Sequence, residues 1–252
     1  MKRLIRQSIW LVWPLLWTAS IFADEKKTLP PPITHDSVKS ADDFTLIVLP
    51  DTQGYADTRH RETQKRWPEI GDQRACFFGQ TEWIKKNHQA RNIALVTHVG
   101  DITQTEHDDE WEIADAAFKT IESHVPYVLC SGNHDMGYSP QLRKTSQSRV
   151  SQFSRYFPPS RFTKNPLYDA YFESEKEGHF REAGKTENYY LFFQASGMNF
   201  LVITLEFKPR DEAIAWANQV VDRYPGHRII VVTHGYLTKK GRLSESDGYL
   251  VK

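Results

Sequence analysis

Cysteine is scarce: Cys76 and Cys130 are the only two in 252 residues. A disulfide framework and a closed cysteine-rich zinc site are therefore both excluded as organising devices. One bridge between the pair stays open, although packing of Cys130 as a small apolar residue at a strand end is the simpler reading. A dominant charge is also lacking, because 32 basic residues balance 32 acidic ones. No global field steers the chain toward nucleic acid or an anionic membrane surface, so any phosphate recognition must be local. Internal repeats and low-complexity tracts are missing too, and no apolar run reaches the ~20 residues of a membrane span.

What is present begins with a targeting pattern. Lys2, Arg3 and Arg6 precede an apolar stretch at residues 9–17, and the small Ala23 stands where a peptidase would cut. Residues 1–23 read as a cleaved signal peptide. A membrane anchor is the rival, but the stretch is short and interrupted by Pro14. Cleavage would leave a secreted or periplasmic protein without a stable membrane span. Residues 24–43, with "LPPPIT" at their centre, read as an extended linker. The remainder, 44–252, reads as one domain, and a composition of 39% hydrophobic and 13% aromatic residues supplies a substantial core.

"FTLIVLP", "NIALVTHVG" and the run around Val125–Leu129 read as buried strands. A helix at about 81–89 and another carrying Trp111, Ala114, Phe118 and Ile121 separate them, a pattern that implies parallel crossover units. "NYYLFFQAS" and "NFLVITLEF" flank Gly197 as a hairpin, a helix with Ala213, Ala217 and Val220 on one side follows, and "HRIIVVTHG" is a further strand. The expected fold is α/β, a four-layer sandwich of two mixed β-sheets flanked by helices. "FSRYFPPSRF" reads as a packed surface loop or insertion, and Trp83, Trp111 and Trp216 as core residues.

The strand ends carry the chemistry. They read "PDTQ", "GDIT", "GNHD" and "THG" in chain order, so Asp51, Gln53, Asp101, Asn133, His134 and His234 all lie just beyond buried strands. Open α/β sheets hold their ligands at such ends. Oxygen donors mixed with imidazole suit a pair of hard or borderline metals, which together clamp a phosphoryl oxygen and activate water. Any one of these residues alone is commonly a turn former, a backbone cap or a hydrogen-bonded structural histidine. Four ends bearing them together favour the metal reading.

In that order and at those positions the motifs resemble the calcineurin-like metallophosphoesterases. "HVGDIT", "NYYLFF", "LEFKPRDEAIAWAN" and "VVTHGYL" further resemble a secreted bacterial branch whose first motif is D-T-Q. The resemblance implies two divalent or trivalent metal ions (Mn, Fe, Zn or Mg) and hydrolysis of a phosphomonoester or phosphodiester by a metal-activated hydroxide. It places Asp51 and Gln53 on the first metal, Asp101 between the two, and Asn133 and His234 on the second. His134 would protonate the leaving group, and Asp135 would hold that imidazole in place and raise its pKa.

Two departures accompany the likeness. Gln53 stands where a histidine is commoner, offering a neutral amide oxygen either to the metal or to a metal-bound water. The family's closing G-H-x-H element is not found before Lys252. The sandwich is therefore expected to be truncated at its C-terminus, with one histidine fewer for each metal and a weakly held second ion. A non-catalytic phospho-ligand or metal-binding module on the same fold is the alternative function. His98 and Glu206 are further candidates near the site, read most simply as a packed strand residue and a strand-end surface carboxylate.

Overall fold

The computed structural model describes residues 43–57, 72–137, 148–165, 167 and 180–236. The expected signal peptide, nearly all of the expected linker and the segment beyond Tyr236, where truncation is expected, lie outside these residues. Strand β1 (Thr45–Leu49), helix α1 (Gln53–Ala56), α2 (Arg74–Asn87), β2 (Ile93–His98), α3 (Asp108–Lys119) and β3 (Tyr127–Leu129) form the first half. The second half comprises α4 (Phe153–Tyr156), α5 (Pro159–Thr163), β4 (Tyr189–Ala195), β5 (Met198–Thr204), α6 (Asp211–Arg223) and β6 (Arg228–Val232). Among the described residues, no helix is long and apolar enough to cross a membrane.

Two three-stranded sheets result, ordered β1-β2-β3 and β4-β5-β6. Only the second is mixed: β4 runs antiparallel to β5, and β5 parallel to β6. The first is wholly parallel among the described residues, which corrects the expectation of two mixed sheets. Its strands are joined by helical crossovers, the connection that parallel neighbours require. The β4–β5 hairpin turns at Ser196 and Gly197, both with positive φ (49° and 69°), as a two-residue primed turn demands.

Alternation sorts the second sheet's side chains. Tyr189, Leu191, Phe193, Phe200, Val202, Ile230 and Val232 join one core with Leu49, Leu95, Val96 and Leu129 of the first sheet. Tyr190, Leu201, Ile203 and Ile229 join a second core with Ala217 and Val220 of α6. Successive strand residues point to opposite faces, so both faces of this sheet are covered. Phe77 and Ile84 of α2 and Trp111, Ala114 and Phe118 of α3 belong to the first core.

Three expectations change. Helix α2 begins at Arg74, well before Thr81: Asp72 accepts the Arg74 amide at 2.9 Å just ahead of the first turn, and the helix runs on through Gly79. "FSRYFPPSRF" is packed as expected but forms two short helices, not a loop, with Phe153, Phe157 and Phe162 fully buried and Phe157 meeting Phe118 at a ring distance of 5.6 Å. Trp111 is core and Trp216 is half-buried, whereas Trp83 is 46% exposed on the outer face of α2. Cys76 and Cys130 are both free, the first exposed and the second buried.

Candidate metal centre

The register of the parallel sheet brings its chemistry to one edge. Leu49, His98 and Leu129 are aligned across β1, β2 and β3, so the three strands end level with one another. Asp51, Asp101 and Asn133 follow within a few residues of those ends, and His234 follows β6 from the other sheet.

Glycines permit the convergence. A Cβ at Gly100 would lie 2.8 Å from the Gly132 nitrogen and 2.9 Å from His234 Cβ, and one at Gly132 would lie 2.1 Å from both the nitrogen and Oδ1 of Asp101. Only glycine allows backbones so close. Asp101 itself adopts φ 53°, a left-handed conformation that its surroundings must hold in place. Its carbonyl oxygen accepts from the amides of Thr52 and Gln53 at 3.1 and 2.9 Å, which ties the first motif to the second.

Asp51, Asp101 and His234 each offer one ligand atom, all within 4.8 Å of one another. His234 Nδ1 donates to the Val99 carbonyl oxygen at 2.9 Å and lies 3.8 Å from Asp51 Oδ1. Its Nε2 is 3.4 Å from Asp101 Oδ2 and 3.2 Å from Asn133 Oδ1. Burial alone would lower the His234 pKa, but the Asp101 and Asp51 carboxylates outweigh it and raise it to about 9. The reciprocal holds at Asp101, where burial would raise the carboxyl and His234 pulls it below its ordinary value. Asp51, the solvent-facing member, is raised chiefly by burial. A proton on His234 thus answers the two carboxylates in the protein alone, as a cation would. Gln53 Oε1 is buried with no hydrogen-bond partner, an orphaned oxygen of the kind a metal ion or its water satisfies. Carboxylate, amide and imidazole donors around an orphaned oxygen fit hard or borderline metal ions.

The "GNHD" loop divides its tasks. The His134 amide donates to Asp101 Oδ1 at 2.9 Å, and its Nδ1 donates to the Gln104 carbonyl oxygen at 2.8 Å. Nδ1 therefore carries the proton, which leaves Nε2 for exchange. Asp135 does not touch this ring, contrary to expectation. Fully buried, its carboxylate accepts from the amides of Ile102, Thr103 and Gly132 and from the Thr103 hydroxyl, at 2.8–3.0 Å. Those donors are spent on joining the "GDIT" and "GNHD" loops. Burial and the neighbouring Asp101 raise Asp135 to about 6.

His98 and Glu206 also resolve. His98 is fully buried, accepting from the Gly100 amide at Nδ1 (3.1 Å) and donating through Nε2 to Thr52 Oγ1 (3.0 Å). Burial drives its pKa down to about 3, so it is a neutral strut between the first two motifs. Glu206 is no surface carboxylate: it is 2% exposed, its carboxylate is ion-paired with Arg210 at 2.8 Å and Arg149 at 3.5 Å, and its carbonyl oxygen accepts the Thr233 hydroxyl, beside His234, at 3.4 Å. Phe207, next in the chain, flanks His234 at a ring distance of 5.8 Å. Thr52, Gln104 and Glu106 are contributors that motif reading missed. Their nearness to "PDTQ" and "GDIT" in the chain was the only available signal.

Residues 44–251 match the family described as calcineurin-like phosphoesterase. The chain is 31% identical over 215 residues to the uncharacterized protein YvnB of Bacillus subtilis (strain 168), a match covering 84% of this chain and 14% of that protein. It thus spans about a seventh of the length of the curated relative it matches. Among solved structures it is similar to a purple acid phosphatase, PPD1, from yellow lupin (Lupinus luteus) seeds. That match has 15% identity and a TM-score of 0.45, over 83% of this chain and 35% of that one.

Proposed function

Because the chain belongs to the calcineurin-like phosphoesterase family, we propose that it is a metal-dependent hydrolase of phosphoric esters whose centre holds two divalent or trivalent ions. The observation that carries this reading is the meeting of Asp51, Asp101 and His234 at one edge of two sheets, beside Asn133 and the orphaned Gln53 oxygen. Asp51, Gln53 and Asp101 would hold one ion, and Asp101, Asn133 and His234 the other. Such ions supply Lewis-acid stabilisation of phosphoryl charge and lower the pKa of water.

The chain's own groups supply the rest. His134, fixed through Nδ1 to Gln104, presents Nε2 as the atom that takes a proton from solvent and passes it to the departing alkoxide. Asp135 anchors the loops that set the distance between His134 and Asp101. Transfer is direct to water, and no side chain is phosphorylated. Glycines at 100 and 132 exclude the side-chain bulk that would separate the ligand loops. The packing of α6 on one sheet and of α2 and α3 in the core shared by both sheets supports a four-layer sandwich. We further read the protein as exported, in the D-T-Q branch, with a phosphomonoester or phosphodiester as substrate.

The neutral Gln53 favours one second reading, a module that binds metal or a phosphorylated ligand without turnover. Metal content and turnover on an aryl phosphate separate the two. A hydrolase should hold about two ions per chain and lose both ions and activity in Asp101→Asn. Stoichiometric metal with no turnover on any ester supports the binding module, and no metal at all rejects the hydrolase and leaves only a module for a phosphorylated ligand.

A further inference from the structure

We propose that Glu106 is the positioning residue that fixes the His134 imidazole in its Nδ1-protonated form, an inference that rests on the phosphoesterase role given to His134 above. Gln104, whose carbonyl holds that nitrogen, sits in a loop bounded by two left-handed residues, Asp101 (φ 53°) and Glu106 (φ 57°). Asp135 holds the first half of the loop through the amides of Ile102 and Thr103, and Glu110 holds the Thr105 amide at 2.7 Å. Asp135 also ties that half to Gly132, ahead of the histidine, but the Gly137 and Gln152 amides are taken by neither carboxylate.

Glu106 takes both. Its Oε2 accepts the Gly137 amide at 3.0 Å, shared with the Val150 carbonyl oxygen, and its Oε1 accepts the Gln152 amide at 2.9 Å. The Gln152 side chain returns a bond from Nε2 to the Glu106 carbonyl oxygen at 2.8 Å. A closed circuit results: Gln104 connects through Thr105 to Glu106, across the carboxylate to Gly137, back along the chain to His134, and through the imidazole to Gln104. Breaking it at Glu106 frees the Gln104 carbonyl to turn away, and the ring loses the acceptor that selects its tautomer. A carboxylate is required because both partners are N–H donors. Glutamine keeps one acceptor and turns an NH2 toward the other amide.

The test uses Glu106→Ala and Glu106→Gln in the full chain. Nitrogen NMR of the imidazoles reports the tautomer without any need for turnover, the His134 signal being identified by its loss in His134→Ala. Wild type should show the Nδ1-protonated form alone, and both variants a mixture with the Nε2-protonated form. Metal content should not change. Turnover of an alkyl phosphate should fall about tenfold in Glu106→Ala, the low end for groups that orient another. Turnover of p-nitrophenyl phosphate, which needs little proton donation, should fall less. Adding Glu106→Ala to His134→Ala should cost little more, because the circuit then holds nothing that reacts. An unchanged tautomer in both variants, or losses that simply add in the double variant, would overturn the assignment. Should Glu106→Ala fail to fold, Glu106→Gln alone decides by the same readouts. A wild-type chain that hydrolyses neither ester refutes the phosphoesterase reading, while the tautomer result still decides the role of Glu106.

Discussion

Gly132 offers the sharpest test of how the strand ends are packed. A methyl group there would lie 2.1 Å from the Asp101 nitrogen and from its Oδ1, where ordinary contact begins at 3.4 Å. More than an ångström of movement is needed, and the neighbour is backbone. Asp101 cannot yield freely, because its carbonyl oxygen takes the Thr52 and Gln53 amides and its Oδ1 takes the His134 amide. Overpacking a rigid site costs about 1–3 kcal/mol, and we expect Gly132→Ala at the upper end. For a chain of this size that lowers Tm by about 6–12 °C. Moving Asp101 should also weaken metal binding at least tenfold, read by calorimetric titration. Gly79 is the control. It lies inside α2 with nothing within 4 Å of its would-be Cβ, so Gly79→Ala should stabilise by about 0.5–1 kcal/mol, raise Tm and leave metal binding alone. Opposite signs for the two glycines are the expected result. A Gly132→Ala protein melting within about 2 °C of wild type with unchanged metal affinity would refute the claim that backbone contact builds the centre.

Three further outcomes follow from the same geometry. His134→Ala should keep its metal but slow hydrolysis about a hundredfold for alkyl esters and less for p-nitrophenyl esters, since only the former need a proton at the leaving oxygen; equal losses on both would contradict that role. Without metal, stability should fall as pH rises from about 6.5 to about 9, because the folded-state pKa of His234 is raised to about 9 and the stabilisation present below its ordinary value of 6.5 is lost on deprotonation. Urea titrations should show that fall above pH ~7 flattened in His234→Asn. Arg161, buried between Asp115 and Glu122 at 2.6 Å each and stacked on Phe157 at 4.6 Å, should cost about 3 kcal/mol when changed to Ala, and Lys should not restore it because one ammonium cannot reproduce the planar fork. Thermal melting of both variants checks this.

What the sequence disclosed, and what it hid, divides along side-chain and backbone chemistry. Four strand ends were legible because buried strands have a strong apolar signature and "PDTQ", "GDIT", "GNHD" and "THG" follow them directly, so Asp51, Asp101, Asn133 and His234 could be placed at one edge. The strands and the hairpin at Gly197 were legible for the same reason, although the first sheet is parallel and not mixed. The start of α2 was not, because Gly79 interrupts the run from Arg74 to Gln80, and the helix is set there by Asp72 accepting the Arg74 amide and by Phe77 entering the core. Nor was the fate of Asp135, since an Asp beside a His invites pairing along the chain, whereas in space its donors are the Gly132 amide and amides of a loop more than thirty residues away. Gln104 was invisible on principle: it acts through a carbonyl oxygen that every residue possesses, and only the fold determines which carbonyl meets the imidazole. Motif reading therefore finds candidate side chains, while the hydrogen bonds that select the tautomer of an imidazole are written in the conformation of the loop. That is why Glu106, at a left-handed turn with two amides on its carboxylate, governs His134 without belonging to any motif.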